Sequence, residues 1–344
     1  KYYCNHCLSF FQMFSIYKSE GASMYNLIHF AYTKSHNYKT EKSIFNIITG
    51  KKSHQTFFDA CSQQLLSLYH SMPKLKYSLF EQYSNNFNIE EQQFQNIISH
   101  PRHTYDSLSN TFNAIQLLTQ TLSNVQHNNY QFVPITQHRA VHQKVKHLYK
   151  KISDHHLENL FIDELTLLFQ SLTNQNSDLY IHYYLQGFEE SMYTRQQISL
   201  IEAISQEMLF ELEIRDLVTL MYEIENEQKY PLLHSLIILP TLLNKTEKTY
   251  IGIQNGLNFK QLVAQQNVKP NTIDDHILEL FIKGYITDYD NYLNHIDYTP
   301  FMTYYISNRS ERLRNYKDSF SELSYFEIKL VIVGVERGEL NVTR

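Results

Sequence analysis

The sequence contains no tryptophan and few glycines, prolines or cysteines, and each shortage restricts the fold. Its 344 residues include 8 Gly and 7 Pro, too few for the many tight turns of an all-β protein or for glycine-rich phosphate loops. The three cysteines, Cys4, Cys7 and Cys61, are too few for a disulfide framework. We therefore expect a reducing compartment and long helices joined by polar connections.

Long apolar runs and an excess of basic charge are also missing. No apolar run reaches the ~18 residues that a membrane-spanning helix needs. The first ten residues lack the apolar core and cleavage site of a signal peptide, so we expect a cytoplasmic protein. The chain carries 30 Lys and Arg against 35 Asp and Glu, a net charge of −5. Any contact with nucleic acid must therefore come from local patches.

Motifs for metal binding and catalysis are weak. Cys4 and Cys7 form a CxxC pair, but no second pair follows at the spacing of a four-ligand zinc site, so we predict no metal. The 17 histidines include no HExxH arrangement, and no GxSxG or Walker-type loop is present. Acidic pairs such as Glu223 and Glu225 are typical of exposed helix faces. We predict a non-enzymatic protein without a cofactor, and an enzyme that uses scattered carboxylates is the alternative.

Apolar residues recur at helical spacing through most of the chain, which predicts an all-α fold. We expect a multi-helical N-terminal domain at 1–243, with a sub-boundary near 73–135, and a C-terminal domain at 244–344. The polar stretch Asn244–Tyr250 marks the boundary. Within the N-terminal domain the spacing predicts a helix at Phe57–Tyr69.

The stretch Asn258–Gly284 has the pattern of a helix-turn-helix, two short helices joined by a tight turn. Asn267 stands where the turn needs a residue that tolerates a left-handed conformation. Pro270 opens the second helix and Gly284 ends it. The following segment, Tyr285–Pro300, is predicted either as a small β-hairpin wing or as a loop.

Candidate binding residues fall in two places. In a DNA-reading helix-turn-helix the first residues of the second helix face bases and phosphates. The candidates there, for contact with DNA or a protein partner, are Lys269, Asn271, Thr272, Asp275 and His276. A predicted helix from Thr136 to Ile152 gathers a second set on one face: Lys144, Lys146, Lys150 and Lys151. These lysines either meet phosphate or form a solvated face balanced by acidic neighbours such as Glu158.

The charge of the C-terminal part argues against a simple DNA reader. Residues 245–344 contain 12 Lys and Arg against 13 Asp and Glu, and Asp274 and Asp275 would repel phosphate. Three uses of the helix-turn-helix therefore remain open: contact with DNA, contact with a protein, or a purely structural three-helix core.

Short motifs at both ends of the chain resemble a known family. Asn271-Thr272-Ile273 and His276-Ile277 match the Ser-Thr-Ile and His-Leu positions of a helix-turn-helix module. That module occurs at the C-terminus of some RecQ helicases and in the YpbB-like proteins of Firmicutes, which lack the helicase motor. Ile47–Ala60 (IITGKKSHQTFFDA) is similar to a Gly-Lys-Lys-Ser-x-Gln-Thr stretch near the start of YpbB-like proteins. Val263 and Gln266 depart from the family pattern.

The resemblance implies a non-enzymatic accessory protein that acts with a RecQ-family helicase in DNA repair or recombination. The helix-turn-helix would then bind DNA, the helicase, or both. The alternative is a helix-turn-helix transcriptional regulator with a helical sensing or dimerisation domain.

Overall fold

The computed structural model describes residues 22–36, 39–85 and 97–341, and all the regular structure in these ranges is helical. The predicted all-α class is confirmed. No helix in these ranges is long and apolar enough to cross a membrane. Cys4 and Cys7 lie outside the described residues.

Seventeen α-helices and two short 3₁₀ turns make up this part of the chain. The helices are α1 (Ala22–Lys34), α2 (Glu41–Thr49), α3 (His54–Ser62), α4 (Tyr77–Asn85), α5 (Tyr105–Gln126), α6 (Arg139–His155), α7 (Glu158–Gln175), α8 (Arg195–Ile201), α9 (Gln206–Ile224), α10 (Pro231–His234), α11 (Asn244–Gln254), α12 (Phe259–Gln266), α13 (Pro270–Ile282), α14 (Asp290–Leu293), α15 (Thr299–Ser307), α16 (Leu313–Ser319) and α17 (Tyr325–Glu336). The 3₁₀ turns are Leu66–Leu68 and Ile181–Tyr184.

The chain divides into two compact units. The largest segment of the first unit is Leu108–Ile238, and the second unit combines Ala31–Phe80, Ser99–Ser107 and Leu239–Arg344. The predicted boundary at residue 244 thus lies close to the start of the last segment. The second unit, however, also takes segments from the predicted N-terminal domain, because packing joins stretches that are distant in sequence.

Helix α9 forms the centre of the first unit. Its residues Glu211–Met221 are buried without a break, and eleven consecutive residues cover every side of a helix. Three charged groups in this run are paired, Glu213 with Arg195 and Arg215 with Asp216, which offsets the cost of burying them. Asp216 accepts hydrogen bonds from the backbone N–H of Tyr180 at 2.7 Å and from Arg215 Nε at 3.1 Å.

The predicted helix-turn-helix forms in the second unit as α12 and α13, and α11 packs against both. Asn267 adopts the predicted left-handed conformation, with φ of 50°, and Gly284 does the same after α13, with φ of 76°. Close packing of α11 on α12 depends on Gly252, because a Cβ there would lie 2.5 Å from Leu262 Cδ2.

Two local predictions in this unit need correction. The segment 285–300 contains no β-strand among its described residues, and the short helix α14 stands where a wing was one interpretation. The helix predicted at Phe57–Tyr69 ends at Ser62 as α3, because Gln64 takes a left-handed conformation with φ of 55°. The 3₁₀ turn that follows is fixed by the buried Ser67 hydroxyl, which donates to the carbonyl of His100 at 3.1 Å.

Candidate functional site

The second helix of the helix-turn-helix is embedded in its unit. His276 to Ile282 of α13 are all buried, and Lys283 after the helix is buried too. Seven consecutive residues at about 100° per residue surround the whole helix, so no side of this half faces solvent. The accessible part of α13 is its first turn, which follows the exposed Lys269, together with the half-buried Asp274 and Asp275.

The helix that covers one side of α13 comes from the other end of the sequence. Helix α3 packs against α13 and α17, while α11 and α12 cover other parts of α13. Gly50 ends α2 with φ of 75°, and the chain then leads through Ser53 into α3. Ser53 caps α3 by accepting a hydrogen bond from the Thr56 N–H at 3.2 Å. The two stretches that carry the family resemblance thus form one packed structure.

A buried polar network connects α3, α11 and α13 through Glu279. The side chain of Glu279 is fully buried, and its Oε2 lies 3.1 Å from His54 Nε2 on α3. Its Oε1 accepts from Lys283 Nζ at 2.5 Å and from the Leu243 backbone N–H at 2.9 Å. Thr246 donates to Oε2 at 2.5 Å. Both oxygens of this carboxylate therefore have partners within the protein.

The electrostatics of the network keep Glu279 ionised. Burial alone would raise its pKa, but the hydrogen bond from His54 and the charge and hydrogen bond of Lys283 outweigh burial and lower the pKa to about 2. Burial lowers the pKa of Lys283, and the Glu279 charge opposes this effect. The ammonium group also lies 3.6 Å from the centre of the Phe57 ring, a favourable cation–π arrangement.

His276 belongs to the same interior. Its Nδ1 lies 2.7 Å from Thr249 Oγ1, and its ring centre is 5.3 Å from that of His54. Burial, followed by the charge of the neighbouring His54, lowers the pKa of His276 to about 4. The imidazole is therefore neutral at physiological pH and serves as a hydrogen-bonded core residue.

A cavity of about 560 Å³ opens beside this network, within the size range of small-molecule sites. Three lysines line it, Lys52, Lys245 and Lys283, against one carboxylate, Asp106. Asp106 Oδ2 lies 2.7 Å from Nδ1 of His70, another residue of the lining. The cavity is therefore surrounded mainly by positive charge.

The structure distributes the predicted helix-turn-helix candidates over different environments. Lys269 and Asn271 are exposed at the start of α13, while Thr272 is half-buried and lines the cavity. Asp275 is half-buried, with its Oδ1 3.7 Å from Lys329 Nζ. His276 is buried and bonded to Thr249, so it does not reach the surface in this conformation.

The candidate lysines of the first unit lie on α6, whose buried face consists of Val141, Val145, Leu148 and Ile152. Lys144 Nζ donates to the carbonyl of Ser235 at 3.3 Å, and partial burial lowers its pKa. Exposed lysines without an ion-pair partner among the described residues are Lys146, Lys150 and Lys151. Glu164 on α7 is buried and accepts hydrogen bonds from the backbone N–H groups of Leu232 and Leu233.

Reasoning from the sequence missed Lys52, His54, Lys245, Glu279 and Lys283 as parts of one site. A signal for two of them was present, since Glu279 and Lys283 are an i, i+4 charged pair inside the otherwise apolar stretch HILELFIKG. Such a pair at apolar positions indicates a buried ion pair. No pattern pointed to Lys52 or Lys245 as residues of a cavity.

Comparison with known proteins supports the helix-turn-helix assignment. Residues 245–332 match a family described as a helix-turn-helix domain. The chain is also similar to protein YpbB of Bacillus subtilis (strain 168), with 20% identity over 240 residues that cover 68% of this chain and 67% of that protein. No solved structure matches the chain. These matches support a helix-turn-helix protein that is a distant relative of YpbB.

Proposed function

We propose that this protein is a non-enzymatic accessory protein that binds DNA through its second unit and acts with a RecQ-type helicase. The observation that carries the DNA part is the set of three exposed lysines, Lys52, Lys245 and Lys269, at the cavity and at the start of α13. The helicase part rests on the resemblance of Ile47–Ala60 and Asn258–Gly284 to YpbB-like proteins. The distant similarity to YpbB over 240 residues is consistent with it.

The burial of α13 determines how DNA is bound in this proposal. A helix that reads the major groove needs an exposed face along its N-terminal part. Here the exposed groups are confined to Lys269, Pro270 and Asn271. Bases along a groove are therefore out of reach, whereas a phosphate beside the first turn is accessible.

The cations available at this surface fit contact with the DNA backbone. Lys52, Lys245 and Lys269 are exposed, and among the described residues none has a side-chain ion pair. Lysines in this state bind phosphate as mobile point charges and contribute affinity without base specificity. Such binding suits a protein that assists a helicase on many sequences.

A transcriptional regulator is the alternative from the sequence. It requires a recognition helix with several side chains on base edges, each of which contributes to discrimination. The buried half of α13 leaves too few such side chains. We therefore favour the accessory role.

The DNA part is tested by titrating the affinity for a short duplex against salt. Each lost phosphate contact lowers the slope of log K against log salt by about 0.9. We expect Lys269→Glu to lower the slope by about 1, whereas the matched control Lys260→Glu, on the exposed face of α12, leaves it unchanged. The double variant Lys144→Glu, Lys146→Glu measures any contribution of α6. An unchanged slope in every variant would contradict DNA contact by these lysines.

The helicase part is tested by co-purification. Tagged protein is recovered from an extract of its own cells, with and without nuclease, and the bound proteins are identified. We expect a RecQ-type helicase in both samples. A helicase lost on nuclease treatment would show an association through DNA alone, and its absence from both samples would refute the partnership.

A further inference from the structure

We propose that the cavity beside α3, α11 and α13 binds a phosphate group, carried by a DNA end or by a free nucleotide or phosphate ion. This inference depends on the proposed function in one respect: DNA binding makes a DNA end one of the sources of the phosphate. It assigns a ligand chemistry to residues at both ends of the sequence, from Lys52 to Thr272.

The lining of the cavity contains lysines that no carboxylate in the described part of the chain pairs with. Lys283 is neutralised by Glu279, and Asp106 is hydrogen-bonded to His70. Lys52 and Lys245 have no hydrogen bond or ion pair through their side chains among the described residues. The carboxylate of Asp106 keeps its negative charge, but the two lysines outweigh it, so the lining of this concave site has a net positive charge.

The cavity lysines Lys52 and Lys245 act electrostatically on the positive charges of the interior network. Burial is the main cause of the lowered pKa of Lys283 and of His276, and the charges of Lys52 and of Lys245, respectively, add to it. Both lysines therefore lie close enough to the interior network to destabilise other positive charges there. A bound anion would remove this repulsion, so the arrangement favours a negatively charged ligand.

Backbone N–H groups at the starts of helices also face the cavity. Helices α3, α11 and α13 all begin at the cavity, where His54, Asn244 and Thr272 belong to its lining. Helix starts carry partial positive charge and N–H groups without an intrahelical partner, which suit phosphate. No side chain caps the start of α11 or of α13. Pro270 has no N–H, the Thr272 N–H donates to the carbonyl of Lys269 at 2.9 Å, and Ser53 caps α3. The start of α11 therefore supplies the backbone donors that add to the charge of the two lysines.

The size and walls of the cavity favour a phosphate attached to a larger group. Its volume of about 560 Å³ exceeds what a lone phosphate ion fills and falls in the range for small organic ligands. Phe57, Leu242 and Leu243 supply apolar surface in the same lining. A nucleotide has the matching chemistry, because it joins a charged phosphate to an aromatic base whose faces pack on apolar surface.

The test compares ligands that differ by one phosphate, using the full chain. Binding is measured by fluorescence anisotropy for a labelled oligonucleotide with a 5′-phosphate and for the same oligonucleotide with a 5′-hydroxyl. Inorganic phosphate and a nucleoside monophosphate are titrated separately by calorimetry. The variants are Lys52→Ala and Lys245→Ala, with Lys51→Ala and Lys248→Ala as controls, because these exposed neighbours lie outside the cavity lining.

We expect tighter binding of the 5′-phosphorylated oligonucleotide and a roughly tenfold loss for each cavity variant, the usual weight of a charge-assisted hydrogen bond. The control variants should bind like the native protein. All four lysines are exposed, so the variants should fold normally, which circular dichroism verifies.

The outcomes separate the two proposals. Equal binding of both oligonucleotides, with no effect of the cavity variants, would refute the phosphate site and leave DNA binding intact. Binding of phosphate or nucleotide that the cavity variants abolish, with no DNA binding, would support the phosphate site and refute the proposed DNA function. Absence of binding to all these ligands would refute both.

Discussion

Acidification should destabilise the second unit, and the buried His276 should account for about 2 kcal/mol of the loss. Its pKa is lowered by burial to about 4, whereas a histidine in the unfolded chain has the ordinary value of 6.5. Between these two values the unfolded chain binds a proton that the folded protein excludes. Stability therefore falls as the pH drops from 6.5 towards 4, and this loss is absent at neutral pH.

The magnitude follows from the two pKa values. From pH 7.5 to pH 5 the linkage relation gives a loss of about 2 kcal/mol in the free energy of unfolding. Glu279, whose folded pKa is about 2, contributes little in this window, because its own loss of stability occurs as the pH falls below its unfolded value of about 4.5. Burial also lowers the pKa of His36 in the same unit, so the share of His276 is the difference between the native protein and a variant without this imidazole.

The assay uses the variant His276→Asn, whose amide reaches the position of Nδ1 and can keep the contact with Thr249. Hydrogen exchange of peptides from α13, corrected for the intrinsic rate at each pH, reports the opening free energy of the second unit alone. The decrease of this opening free energy between pH 7.5 and pH 5 should be about 2 kcal/mol smaller in the variant than in the native protein. The control His147→Asn, at an exposed position of α6, should behave like the native protein. An equal fall in the native protein and His276→Asn would refute the reasoning.

Two further predictions concern stability at neutral pH, measured by urea denaturation. Glu279→Gln should cost about 3 kcal/mol, because it leaves a buried ammonium group without its counter-charge, whereas Glu322→Gln at an exposed position should change stability by less than about 0.5 kcal/mol. Gly50→Ala should cost more than about 2 kcal/mol, since φ is 75° and the new Cβ would lie 2.4 Å from the His70 ring. Gly256→Ala has a similar φ of 78° but open space around it, so about 1 kcal/mol is expected. Equal costs for the members of either pair would contradict these assignments.

The local features of the helix-turn-helix could be predicted because short-range chemistry determines them. Spacing of apolar residues gave α12 and α13, and the need for a left-handed residue in the turn identified Asn267. Gly284 ends the second helix for the same conformational reason. All these signals lie within a single stretch of 27 residues.

The cavity could not be predicted because it depends on contacts between distant parts of the chain. His54 lies 192 positions before Thr246, its partner in the network. Periodicity indicates which face of a helix is buried, but it does not say which helix covers that face. The resemblance pointed to both stretches without indicating that they pack together. For the same reason, the candidates at the start of α13 included His276, which α3 and α11 help to bury.

The helix-turn-helix of this protein differs in exposure from one whose second helix is free to enter a DNA groove. The position of the recognition helix is taken by α13, yet its C-terminal half is a core helix held by Glu279 and Lys283. What remains accessible is the start of α13, together with the starts of α3 and α11. This arrangement presents positive charge and backbone donors in one place, which is suited to phosphate and poorly suited to base edges.

The most direct test of this account is competition for a labelled 5′-phosphorylated duplex by unlabelled duplexes of unrelated sequence. The account predicts that every sequence competes equally well, and that Lys52→Ala with Lys245→Ala weakens binding to all of them by the same factor. A duplex sequence that competes at least 100-fold better than the others, with a preference lost in Asn271→Ala, would contradict it.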